Sequence, residues 1–126
     1  MANENDLDFM SAIEAHVRWK IRLEAYISGV GEERLDPAVV GRDDQCALGK
    51  WIHGPGGAQH ASHPSFQELK DIHAEFHQSA AEVIRLVDAG SAEQARTLLN
   101  KGVYASCSQK IKSKLARMSL ELEHDD

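Results

Sequence analysis

At 126 residues the chain is long enough to bury a core in one domain without disulfides, and a second domain is not expected. Its formal charge is −6, and its basic residues are scattered apart from a thin group at Lys101, Lys110, Lys112, Lys114 and Arg117. That balance argues against nucleic acid and anionic membranes, both of which select basic patches. The opening MANENDLDFM has no basic stretch leading into an apolar one, and no run approaches a membrane span. The expectation is a cytoplasmic protein in which Cys46 and Cys107 stay reduced.

The first helix is predicted from about Asp6 to Ser28. Phe9, Ile13, His16, Trp19, Leu23 and Ile27 form a seam at helical spacing, and Leu7, Met10, Val17 and Ile21 broaden it beyond what one neighbour would cover. Gly29 and Gly31 end the helix, and GEERLDPAVVGRDD reads as a connector with Pro37 and Gly41 as breakers. Asp43 or Asp44 is placed to cap a short helix over QCALGKWIHG. The glycines and prolines of GPGGAQHASHP leave no periodic pattern, so that stretch is expected to be a loop. A long third helix starts near Pro64 and stops at Gly90. Ser91 and Gln94 have the spacing of a capping box that opens a fourth helix running to about Leu122. No segment alternates with period two, so the fold class is all-α: an antiparallel bundle of three long helices plus a short one carrying Cys46. The whole chain, 1–126, is expected to be a single domain with its core over about 6–120.

Within the third helix, HAEFH places His73 and His77 one turn apart on the stripe of Phe66, Leu69, Phe76, Ala80, Val83, Ile84 and Val87. Both imidazoles therefore face inward. Such a pair is either a core feature whose nitrogens find hydrogen bonds or half of a metal site, since an unpaired buried nitrogen costs about 1–3 kcal/mol. His16 lies on the inward seam of the first helix, and Cys46 opens the short one. Three imidazoles and one thiolate suit tetrahedral zinc, and copper(I) shares those ligand preferences. Glu14 and Glu75 lie off the seams, so the carboxylate shell of a di-iron bundle is absent. Cys107 falls on the stripe of the fourth helix and reads as core. His53, His60 and His63 flank the glycine-rich stretch and read as solvated residues or a low-affinity metal site, while His124 belongs to the tail.

His16, then CALGKWI from Cys46 to Ile52, then HAEFH together resemble the chemoreceptor zinc-binding (CZB) domain family. The resemblance spans about residues 6 to 120, and the Cys-x-Leu-Gly-x-Trp element is its most specific part. It implies a dimerising helical bundle that binds Zn(II) through His16, Cys46, His73 and His77. Members of the family are typically fused to chemoreceptor or diguanylate cyclase modules. This chain ends soon after its last helix, which reads as a stand-alone domain passing its output to a separate signalling partner.

Three functions share this site: a zinc sensor, an oxidant sensor acting through the Cys46 thiolate, and a purely structural zinc domain. Four protein ligands leave no open coordination position, and no general base shares their seams, so an enzyme is not expected. No nucleophilic triad or phosphate-cradling loop is present.

Overall fold

The computed structural model describes residues 8–30, 34–44 and 46–123, with side chains to 120. Leu7 and His124, and the side chain of Leu122, lie outside what is described. Among the described residues seven helices follow one another: α1 (Phe9–Ser28), α2 (Pro37–Val40), α3 (Ala47–Ile52), α4 (Pro55–His60), α5 (Pro64–Asp88), α6 (Ala92–Lys101) and α7 (Val103–Glu123). There is no strand among the described residues, so the protein is an all-α helical bundle. No helix among them is long and apolar enough to cross a membrane.

Each long helix is fixed at its ends by local chemistry. Asp8 caps α1 by accepting from the Ser11 backbone N–H at 3.2 Å, and Gly29 closes the helix at φ 71°, where a Cβ would be strained. His63 caps α5, its Nδ1 accepting from the Ser65 N–H at 3.3 Å, while Pro64 supplies a preset φ in the first turn. Gly90, at φ 85°, follows the end of α5.

Pairs of contacts give the helices their directions. Lys114 meets Glu68 and Tyr104 packs on Phe76 at 4.9 Å, so α7 runs antiparallel to α5. His16 sits 5.3 Å from His73, and the Tyr26 hydroxyl donates to Asp88 at 2.6 Å, so α1 and α5 share a direction. The chain between Ser28 and Pro64 returns to the starting end, and on the way it forms the three short helices. Leu23, Phe66, Leu69, Phe76, Ile84, Tyr104, Ile111, Leu115 and Met118 fill the centre and are fully buried.

Several local expectations give way to tertiary packing, and the connector read with Pro37 as a breaker holds the short helix α2, which Pro37 opens. The fourth helix is two helices, because Gly102 adopts an extended backbone (φ −102°, ψ −153°) between α6 and α7. Glycine has little helix propensity, and a Cβ there would crowd Leu98. Ser91 stands at the start of α6 without a side-chain cap, so the capping box is not formed. The glycine-rich stretch is not all loop: Pro55 opens α4, and Gly56 lies so near the Trp51 indole that an added Cβ would come within 2.5 Å of its Cδ2. Backbone packed on an indole supplies the burial that the sequence lacks in side chains.

Along α1, His16, Leu23 and Ile27 are buried and Phe9, Ile13 and Trp19 partly so, as the seam predicts. The flanking Met10, Val17 and Ile21 are exposed at 64%, 43% and 63% and form an uncovered apolar stripe.

Candidate metal centre

The segment before α3 determines where Cys46 sits. Neither Asp43 nor Asp44 caps the helix. Cys46 does so itself, with φ −81° and ψ 166°, its Sγ accepting from the Gly49 N–H at 3.3 Å. Sulfur is a weak acceptor, and a thiolate is a far better one, so this helix start favours the charged form that a metal requires. The position of Gly49 also needs its missing side chain, because a Cβ there would collide with the Asp43 carbonyl. Leu48, Trp51 and Ile52 are buried, and the Trp51 ring contacts Phe9 and Phe66 edge-on at 5.9 and 5.8 Å. Those contacts bind the short helix to α1 and α5, with Cys46 facing the histidines.

On α5 the one-turn spacing stacks His73 and His77 with ring centroids 4.6 Å apart and Nε2 atoms 3.2 Å apart. Cys46 Sγ lies 3.3 Å from His73 Nε2 and 3.6 Å from His77 Nε2. His16 joins from α1, and the ligand atoms of all four residues lie within 4.8 Å of one another. In a tetrahedral zinc site with ordinary bond lengths, the N···N edges are about 3.3 Å and the N···S edges about 3.6 Å. The His73–His77 separation of 3.2 Å and the Cys46 separations of 3.3 and 3.6 Å lie near those edges, and His16 completes the group within 4.8 Å.

Hydrogen bonds on the far side of the rings fix the tautomers. His77 Nδ1–H donates to the Val40 carbonyl at 2.8 Å, and His16 Nδ1–H donates to the Ala12 carbonyl at 2.7 Å. A carbonyl oxygen only accepts, so each ring carries its proton on Nδ1 and presents a lone pair at Nε2. His16 Nε2 is buried with no hydrogen-bond partner, which is the condition a bound cation relieves. His73 differs, since its Nδ1 is buried without a partner and no outer hydrogen bond orients the ring. Val40 is separated from His77 by 37 residues, so no sequence pattern could have revealed this bond. The Ala12 carbonyl, one turn before His16, could have been anticipated from helix geometry alone.

Burial holds all three imidazoles in the neutral, ligating form: it pushes His16 and His77 below the usual histidine range and His73 down to about 2. Burial also pushes the Cys46 thiol up, so in metal-free protein it keeps its proton. Glu14 and Glu75 are exposed on α1 and α5, whereas the Asp43 carboxylate lies near enough to act electrostatically on Cys46 and His77. Among the described residues this is the one group of three or more potential ligands.

The other singled-out residues have structural duties. His60 tilts against Trp51 at 5.8 Å, His63 caps α5, and His53 lies 3.4 Å from Asp43 on the surface. His60 and His63 are half-buried parts of the packing, not solvated side chains. Cys107 is a buried free thiol in the α7 core, as expected.

Three buried imidazoles and a partly buried thiol gathered inside a helical bundle make a donor set suited to zinc. The chain belongs to the chemoreceptor zinc-binding domain family, whose model matches residues 16–84 and so includes all four residues of the centre. No match was found among curated proteins or among solved structures. The donor set fits the metal of that family, with His16, Cys46, His73 and His77 placed to hold it.

Two outcomes follow from this geometry. Gly49→Ala forces α3 away from Asp43 and carries Cys46 with it, so zinc affinity should fall by about tenfold or more while far-ultraviolet circular dichroism stays near wild type. A competition titration against a chromophoric chelator measures the first, and unchanged affinity would show that the clash relaxes elsewhere. The second concerns acid. The folded, zinc-free protein keeps its histidines neutral, whereas unfolded histidines take protons from about pH 6.5 downward. The unfolded chain therefore binds more protons below that pH, and stability declines as pH falls. Urea midpoints of chelated protein should be level above pH 7 and drop steadily toward pH 5.5.

Proposed function

We propose that this chain is a cytoplasmic zinc sensor domain, single over residues 1–126, in which His16, Cys46, His73 and His77 are the zinc ligands and α3 is the moving part. The observation that carries the reading is the unequal footing of the ligands. His16, His73 and His77 stand on helices of 20 and 25 residues, whereas Cys46 stands at the start of a helix of six. A helix that short is marginal without packing or ligation. The bound cation supplies a charge that stabilises the thiolate and joins α3 to α1 and α5. Release of Cys46 changes how the surface formed by α2 and α3 is presented, and the four-ligand closure supports regulation over catalysis. The partner that reads this surface is a separate signalling protein of chemoreceptor or diguanylate cyclase type. A second reading, oxidant sensing through the same thiolate, draws support from the partial exposure of Cys46, the only ligand that is not buried.

Hydrogen exchange distinguishes sensing from a structural role. In zinc-free protein the amides around 43–53 should exchange much faster than those of 66–87, and Cys46→Ala should show the same pattern with most helicity retained. Equal loss of protection in both segments would make zinc a structural element of the whole fold.

The outer stripe of α1, Met10, Val17 and Ile21, is the surface for a second copy in a homodimer. Sedimentation equilibrium at micromolar concentration should return the dimer mass for wild type. A Val17→Asp, Ile21→Asp double variant, altered only at exposed positions, should return the monomer mass. A monomeric wild type ends the dimer reading.

A further inference from the structure

Beside the metal centre lies a cavity of about 460 Å³ that touches Cys46 and His77 on one side and Trp19, Arg22, Arg34 and Arg42 on the others. Three arginines lining one pocket are unexpected in a chain with a formal charge of −6. The single carboxylate in the lining, Asp36, is committed to capping α2 through the Ala38 N–H at 2.9 Å. The Arg22 Cζ stands over the Trp19 indole at 3.9 Å from its centroid, and Arg42 is paired with Asp44 through two contacts of 3.3 Å. Both guanidiniums are thus oriented by neighbours, which lowers the ordering entropy lost when a ligand is grasped. Guanidinium is always charged, weakly hydrated and forked, a shape that matches the paired oxygens of a carboxylate or phosphate.

We propose that this pocket is a binding site for a small oxyanion, a carboxylate- or phosphate-bearing molecule, and that its occupancy is coupled to the metal centre. The coupling, and only the coupling, rests on the zinc reading above. Two connections carry it. Val40 lines the pocket with its side of α2, and its carbonyl holds His77 in the ligating tautomer at 2.8 Å. Cys46 belongs to both the pocket lining and the centre. The sign follows from charge: Zn(II) with one thiolate and three neutral imidazoles carries one net positive charge, so an anion next to it favours the loaded state. By linkage, zinc raises anion affinity by the same factor as the anion raises zinc affinity.

The test uses nuclear magnetic resonance at fixed ionic strength, following the Trp19 indole N–H and the arginine Nε–H signals. Zinc-loaded and chelated protein are titrated with succinate, with inorganic phosphate and with uncharged succinamide. The expected result is a saturable shift with one or both anions and none with succinamide. Response to succinate alone assigns a carboxylate ligand, and response to phosphate alone assigns a phosphate one. In an Arg34→Gln, Arg42→Gln double variant, whose changes lie at exposed side chains, the affinity should fall by about tenfold or more while zinc stoichiometry is unchanged. Saturating anion should raise zinc affinity about fivefold or more in chelator competition. No saturable shift at concentrations on the order of tens of millimolar, or a shift that survives the double variant, overturns the site. An arginine-dependent shift with zinc affinity unchanged overturns the coupling. If the protein retains no zinc and the arginine-dependent shift persists, the zinc reading fails and the anion site stands.

Discussion

Three imidazoles cannot share an apolar core unless the nitrogens that face one another are satisfied, and much of this molecule is arranged around that constraint. Each buried neutral ring has one donor and one acceptor, and leaving either without a partner costs about 1–3 kcal/mol. His16 and His77 place their donors on backbone carbonyls, from the preceding turn of α1 and from the end of α2. Their acceptors then have no outlet except toward each other, His73 and Cys46. Lone pairs gathered in a low-dielectric interior repel, and a cation at their centre turns that repulsion into attraction. The parallel course of α1 and α5, the position of α2 and the burial of Phe76 between the rings all serve to keep the nitrogens converging.

The fourth corner is built on different physics. Cys46 is held by a short helix that lies closest to another short helix, α4, and reaches the long helices through side chains such as Trp51. Gly49 and Gly56 let that unit close up, one against the Asp43 carbonyl and one against the Trp51 indole. Its hold on the bundle is thus a few side-chain contacts plus whatever the thiolate gains from a metal. Three of the four residues thus stand on long helices and one on a short helix, the asymmetry on which the proposed sensing role rests. The arginine-lined pocket shares Cys46 with this corner.

The sequence by itself determined the long helices α1 and α5 and pointed to the four residues that the structure gathers. Helical spacing put His16, His73 and His77 on buried faces, because a residue that recurs on an apolar stripe has nowhere else to go when the stripe is covered. The CALGKWI element identified the short helix, but its cap was expected at Asp43 or Asp44 and the structure places it on Cys46 itself. What only the tertiary structure decided were matters of distance in sequence and of packing without side chains. The Val40 carbonyl meets His77 because the connector folds back across α5, a choice made by the whole bundle and written in no local pattern. Helix α4 forms in a stretch of low propensity with Gly56 packed on the Trp51 indole, and the helical run divides at Gly102, where the backbone is extended and only a residue without a Cβ fits beside Leu98. The direction of α1 relative to α5, and the gathering of three distant arginines at one pocket, follow from that same return of the chain. Periodicity specifies which face of a helix is buried; which neighbour it meets, and in which sense, is settled only when all the faces compete for one core.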